Sequence, residues 1–291
     1  MSLATAPELI NGDLPLSREE RRAYLDHHAR RNAALAARSA GVASRPGPRP
    51  SRLAGVAVSD ACSPGRVAAI DFFLHAATCA FRHFGAEPIT IVDIGAGAGG
   101  QLDPFIGLGL RGRYIAIDVA RHPAWHDGPR GGFTRELIVA DVNAIDPASL
   151  PPVDLLVSNT ALEHIRDDEG AIRALSSRLT PRAMQAHFVP AEAALPLYGP
   201  HGFRQYSPWC LSRLFPGAEV FRYGGEACAA VHREWITQAT RDGTCRRDED
   251  VASYRRHRDE AIEADERAGN LAALMYGVVA TPVTCGGACD A

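Results

Sequence analysis

Ile89-Thr90-Ile91-Val92-Asp93-Ile94-Gly95-Ala96-Gly97-Ala98-Gly99-Gly100 is the stretch around which the rest of the chain is arranged. It opens with β-branched residues, the composition of a buried strand. It then breaks into glycines at alternate positions, Gly95, Gly97 and Gly99, with Gly100 directly behind. Glycine tolerates positive φ and has no Cβ, so a ligand can approach the backbone closely there. The free N–H groups of such a turn, opening a helix, favour an anionic group. Strand, glycine turn and helix together predict an α/β protein with a ligand at the strand's carboxyl end.

Two patterns overlap in this turn. Gly95, Gly97 and Gly100 satisfy the GxGxxG spacing of a dinucleotide-binding turn. Asp93, Gly95, Gly97 and Gly99 satisfy DxGxGxG, which resembles motif I of the class I S-adenosylmethionine-dependent methyltransferases. The acid at Asp93 favours the second pattern. A pyrophosphate gains nothing from a carboxylate at the strand's end, whereas the ammonium and sulfonium of S-adenosylmethionine both suit one.

Working outward, strands alternate with helices. Ser63-Pro64 gives an N-cap with proline at the first helical position, opening a helix closed by Gly85. After the turn, Gly100 to Leu110 predicts a short helix, and Arg113 to Asp118 a second strand ending in an acid. His122 to Gly132 reads as a loop. Arg135 to Asp141 predicts a third strand and Val153 to Ser158 a fourth, with a helix from about Glu163 to Leu179. Met184 to Val189 predicts a fifth and Ala218 to Tyr223 a sixth. Leu271 to Val283 fits a last, antiparallel strand. This alternation predicts a doubly wound, mostly parallel, seven-stranded sheet of the Rossmann-like methyltransferase type.

Acids recur at the strand tips. Asp118 lies at the distance from the glycine turn where an acid grips ribose hydroxyls in either Rossmann-type reading. In methyltransferases a pair like Asp141-Val142 reads the adenine, the acid accepting from the exocyclic amine and its neighbour packing on the ring. The segment Ala161-Leu162-Glu163-His164-Ile165 resembles the Leu-Glu-His run that many small-molecule methyltransferases carry after the fourth strand. The Asn-Pro-Pro-Tyr type turn of amino-methylating families is absent. The resemblance covers Ser63 to Val283 and implies S-adenosyl-L-methionine as cofactor. Gly95, Gly97 and Gly99 would hold its methionine end, Asp118 the ribose, and Asp141 with Val142 the adenine. Asn159 would line the transferring methyl.

A hydroxyl acceptor needs its proton removed, and histidine is the usual base near neutral pH. His164 and His201 are the catalytic candidates at that end of the sheet. The irregular stretch Pro190 to Tyr206 mixes aromatics with one histidine and one arginine, and long loops at such a position are usually functional. Tyr198, His201 and Arg204 are its substrate-binding candidates, Arg204 for a carboxylate or phosphate on the acceptor or, more commonly for such a residue, for a surface salt bridge. No metal constellation is legible; the adjacent His27 and His28 point in different directions on a helix. The function implied is methylation of a small molecule, most simply at oxygen. N-methylation and a catalytically silent cofactor-binding scaffold are the alternatives, with a nicotinamide oxidoreductase resting only on the overlapping glycine spacing.

Composition sets the remaining bounds. The 291 residues are 46% hydrophobic and 22% charged, enough to bury a substantial core. A net charge of −3 offers no global basic field for nucleic acid or anionic lipid. No apolar run follows a basic start or reaches bilayer length. Seven scattered cysteines read as reduced thiols, so a cytoplasmic protein without membrane or nucleic-acid partners is expected. Residues 1–60 are expected to be an N-terminal extension: a disordered start, a helix from the Ser17/Glu20 capping box to about Ala40, and an Arg45–Pro50 linker. That helix reads as a solvated face or, more sharply, as a lid. Residues 61–283 form the methyltransferase domain, with a helical insertion at about 226–268 whose charged second helix is a solvated face or a homodimer contact. Residues 284–291 are a tail.

Overall fold

The computed structural model describes residues 6–51, 58–238, 243–244 and 246–281. The expected tail, with Cys285 and Cys289, and the end of the last expected strand at 282–283 lie outside the described residues. The strands form one sheet: β1 (Arg45–Pro46), β2 (Ile89–Ile94), β3 (Gly112–Asp118), β4 (Phe133–Val139), β5 (Val153–Asn159), β6 (Leu179–Pro190), β7 (Glu219–Tyr223) and β8 (Met275–Ala280). Their spatial order is β1-β7-β8-β6-β5-β2-β3-β4. Every pairing is parallel except those of β8, which runs antiparallel between β6 and β7.

Alternation along the strands explains why helices cover both faces. Ile91, Tyr114, Ala116, Leu155, Val157 and Phe188 point to one side, where they pack with Phe72, Ala76, Ala80 and Phe84 of α2 (Pro64–Phe84). Val92, Ile94, Ile115, Ile117 and Leu156 point to the other, against Ile172, Leu175, Leu211 and Phe215. Two apolar layers on one parallel sheet make the doubly wound arrangement that the strand–helix alternation predicted.

Three expectations need correcting. The sheet has eight strands rather than seven, because Arg45 and Pro46 are not a linker but an edge strand beside Phe221 and Arg222. Proline is tolerated at an edge, where one side of the strand needs no N–H donor. Arg49 then pins this stretch, with 2.7 Å contacts to Asp71, which is fully buried, and to Glu266. The helix expected from Glu163 starts only at Asp168, capped by the Asp167 carboxylate accepting from Gly170 N–H, and ends at Ser176. Leu162–His164 is instead a single tight turn.

The third correction is the start of the chain. Residues 6–16 are not loose: Gly12 N–H donates to Gly202 O at 2.7 Å, and Asp13 accepts from Gly202 N–H at 3.0 Å. The capping box forms, with Ser17 and Glu20 exchanging hydrogen bonds of 2.8 and 3.1 Å, and α1 (Arg18–Arg38) follows. Its narrow stripe of Tyr24, His28, Asn32 and Leu35 is buried. That stripe sits on the 190–206 segment: Tyr24 Oη donates to His201 O, Arg31 to Gln205 O and Asn32 to Glu192 O. The helix thus lies on the main domain with its remaining faces exposed.

The start of β3 gives the first expected outcome. Gly112 has φ +139°, and a Cβ there would lie 2.0 Å from the backbone oxygen of Ile89 on the neighbouring strand. Neither strand can move without breaking the register Ile89↔Gly112. Gly112→Ala is therefore expected to lower unfolding free energy by roughly 2–4 kcal/mol in urea titration, with the m-value unchanged.

Candidate active site at the strand tips

A cavity of about 440 Å³ opens at the carboxyl ends of β2, β3 and β5. Ile94 and Gly95 come from the glycine turn, Asp118 from the tip of β3, and Asp141 with Val142 from the turn after β4. Thr160, Ala161 and His164 close it from the segment after β5. The strands deliver these residues because parallel strands all end on the same edge, so each tip contributes one side chain.

The glycine turn is built as its composition suggests. Gly95, Gly97 and Gly99 all have positive φ, at +66°, +52° and +76°. At Gly95 a Cβ would lie 2.4 Å from Ala161 Cβ, whereas at Gly97 nothing stands within 4 Å. The turn is therefore packed against the β5 segment at one glycine and open at the next. Gly97 N–H donates to Asp118 at 2.8 Å, which ties the turn to the acid. Asp141 caps its own short turn, accepting from Asn143 N–H at 2.9 Å, and Val142 is buried beside it. Thr160 holds φ +48°, one of only two non-glycine residues with positive φ among the described residues. Such conformations persist where the surroundings over-determine them, commonly at functional sites.

Other expected site residues are placed differently. Asp93 is fully buried beneath the turn and does not line the cavity. It faces the α2 side of the sheet with Ile91, where the Tyr114 hydroxyl donates to it. Burial pushes its carboxyl up to about 7. The expectation that Asp93 meets the cationic end of a donor fails on alternation: an odd position in β2 points into the core. Asn159 ends β5 with a buried Oδ1 that has no hydrogen-bond partner, but Thr160 and Ala161, not Asn159, border the cavity. Arg204 is committed to Asp168 in a largely buried ion pair and donates to Arg166 O. It borders a second cavity of about 260 Å³ with His27, His28 and Arg31 rather than the one at the strand tips. Tyr198 packs beside His201 with ring centroids 5.9 Å apart.

The two candidate histidines do come together, edge to face at 4.6 Å. Between their Nδ1 atoms sits Asp13, 2.6 Å from His164 and 3.4 Å from His201. Burial pushes Asp13 up, but the hydrogen bonds from His164 and Gly202 outweigh it and hold the carboxyl below its ordinary value. His201 is pushed down by burial and by His164 beside it. On the opposite side of both rings lies Glu163, 3.7 Å from His164 Nε2 and 4.0 Å from His201 Nε2. Glu163 is fully buried, and neither carboxyl oxygen has a hydrogen-bond partner. Burial pushes its carboxyl up to about 8.

Sequence reasoning missed Asp13 and passed over Glu163, though it quoted the Leu-Glu-His run containing it. Nothing local marks Asp13, since its partners stand 151 and 189 positions away. No metal constellation was legible in the sequence, yet ligand atoms of Asp13, His164 and His201 lie within 4.8 Å of one another.

No family model matches the chain, and no curated protein matches it either. Among solved structures it resembles an S-adenosylmethionine-dependent methyltransferase from Aquifex aeolicus, at 16% identity over 76% of this chain and 100% of that one, TM-score 0.40. A Burkholderia thailandensis 1,6-didemethyltoxoflavin-N1-methyltransferase matches at 13% identity over 92% of both chains, TM-score 0.42. Phosphoethanolamine N-methyltransferase 2 of Haemonchus contortus matches at 14% identity over 71% of this chain and 52% of that one, TM-score 0.44. These likenesses are distant, and the assignment rests on the chain's own strand order and strand-tip cavity. By its strand order and its two apolar layers the chain has a doubly wound, Rossmann-like α/β fold.

Proposed function

We propose that this protein transfers a methyl group from S-adenosyl-L-methionine to a hydroxyl of a small molecule. The observation that carries the reading is the convergence on one cavity of Gly95 of the glycine turn, Asp118, the Asp141-Val142 pair and His164. The open space over Gly97 and the acids at two strand tips fit a donor that combines a cationic amino-acid end with a nucleoside. The turn from Gly95 to Gly99 holds the amino-acid end, Asp118 the ribose, and Asp141 with Val142 the adenine. When bound, the donor supplies an electrophilic methyl, so the chain's own work is alignment, exclusion of water and removal of one proton.

Proton removal falls to His164 at the cavity's edge, with Asp13 and His201 beside it. Asp13 fixes the orientation of both imidazoles, and His164 borders the cavity directly. The α1 cover and the 190–206 segment limit solvent on the acceptor side. Tyr198 and His201, in direct ring contact at 5.9 Å, are the side chains we assign to the acceptor.

Calorimetric titration with S-adenosylmethionine, S-adenosylhomocysteine and NAD tests the donor assignment. Binding of the first two and not the third is expected; binding of NAD alone ends the proposal. In the same assay Asp118→Ala is expected to weaken donor binding by about 10- to 100-fold, since a hydrogen bond to a charged group contributes ~1.5–3 kcal/mol. Unchanged affinity would remove Asp118 from the ribose role. Cell extracts incubated with isotopically labelled donor then identify the acceptor.

A further inference from the structure

We propose that Asp13, His164 and His201 bind a divalent transition-metal cation, Zn2+ or a first-row neighbour, with Glu163 as the buried carboxylate behind both histidines. Two imidazoles and one carboxylate are a common donor set for such ions. The three residues arrive from separate parts of the chain: the N-terminal arm, the turn after β5 and the segment after β6.

The spacing suits an ion. Metal–ligand bonds of about 2.0–2.2 Å place tetrahedral neighbours about 3.4 Å apart. Asp13 Oδ1 lies 3.4 Å from His201 Nδ1 and its Oδ2 2.6 Å from His164 Nδ1, and one ligand atom from each residue lies within 4.8 Å of the others, so the shorter contact has only to open for an ion to enter. Each ligand is about one-third exposed, which leaves one side free for water or an acceptor oxygen. The frame is braced by backbone: Gly12 N–H to Gly202 O, Phe203 N–H to Glu163 O at 2.7 Å, and Tyr24 Oη to His201 O. Gly202 has φ +58°, and a Cβ there would lie 2.4 Å from Glu163 O, so the arm, the turn and the loop cannot separate independently.

Glu163 is the second observation and the stronger one. A fully buried carboxyl with both oxygens unpartnered is an anomaly, because buried polar groups are almost always satisfied. Ligation through Nδ1 forces the proton of each neutral imidazole onto Nε2. Two N–H donors then converge on Glu163 from 3.7 and 4.0 Å, and a small closure completes both bonds. This is the carboxylate–histidine–metal arrangement that orients ligands and raises their basicity. Charge also balances, with two carboxylates and two neutral imidazoles against a dication.

The ion's open side lies beside the donor cavity, which His164 shares. With the ion bound, both nitrogens of each histidine are engaged, so an acceptor hydroxyl coordinated there would be acidified by the ion and release its proton to solvent in place of transfer to an imidazole. That role rests on the methyl-transfer reading; the binding of the ion does not.

The test uses the untagged full chain, freed of metal by chelator and titrated with ZnCl2 by calorimetry and with CoCl2 by visible absorption. One equivalent per chain is expected, with a Co2+ spectrum of nitrogen and oxygen ligation and no thiolate charge-transfer band. On adding Zn2+, imidazole resonances of two of the eleven histidines should shift in the wild-type protein, which needs no variant to fold. His164→Ala and His201→Ala should each weaken binding at least 10-fold, and Glu163→Gln by about 10- to 100-fold. Absence of stoichiometric binding overturns the proposal. So does undiminished affinity in the double histidine variant, or a thiolate band placing the ion on cysteines. Donor binding measured on the metal-free protein separates this failure from failure of the transferase reading.

Discussion

His164→Ala is expected to lower turnover by about 10²- to 10⁴-fold, the range a positioned proton-transfer group contributes, while donor affinity changes little. The argument starts from position. His164 borders the strand-tip cavity, its Nδ1 is held at 2.6 Å by Asp13, and its other nitrogen faces Glu163. A side chain held between two carboxylates has one orientation, and the loss of that orientation cannot be recovered by water. The donor contacts assigned to Gly95, Asp118 and Asp141 come from other strand tips, so the variant should keep them. Calorimetry with S-adenosylhomocysteine beside single-turnover rates checks the split. A parallel loss of donor binding would mean that His164 contacts the donor rather than the acceptor. Asp13→Asn should fall in the same direction by a smaller factor, because the amide can hold one imidazole but carries no charge.

The second large effect concerns acid stability. His187 on β6 is fully buried, stacked at 4.5 Å on Phe215, with Ser158 Oγ 2.8 Å from Nδ1 and Gln185 as its other polar neighbour. No carboxylate partner compensates it, and burial pushes its imidazole down to about 3. The folded state therefore holds His187 neutral while the unfolded chain takes up a proton near 6.5. The unfolded state binds more protons below that value, so stability is present above pH 6.5 and is lost as pH falls toward the folded value. At pH 4.5 the loss from this one group is on the order of 3 kcal/mol. His28, buried with both ring nitrogens unpartnered and also pushed down to about 3 by burial, steepens the same limb. His187→Asn keeps a polar partner for Ser158 and should flatten urea-measured stability between pH 6.5 and 4.5. An unchanged slope would show that His187 is protonated in the folded protein.

Much of the fold was legible because it depends on local signals that repeat. β-Branched runs at 89–94, 113–118 and 153–158 became strands within a residue or two, and the caps at Ser17 and Ser63 sit where their sequences placed them. Errors fell where a segment's fate depends on a distant partner. Arg45-Pro46 reads as linker until β7 offers an edge, and residues 6–16 read as loose until Gly202 supplies a donor and an acceptor. Arg204 reads as an acceptor-binding cation until Asp168 claims it.

The sequence by itself determined the doubly wound sheet, the glycine turn at its edge and the row of acids at the strand tips. Hydrophobic period, glycine spacing and capping residues act over a few positions and are written in order along the chain. Only the tertiary structure decided that Asp93 is sealed in the core, and that Asp13 and Glu163 enclose His164 and His201 from opposite sides. Alternation puts Asp93 on one face of β2, but only the packing of Tyr114 and α2 seals that face, and the histidine enclosure depends on contacts spanning more than a hundred residues.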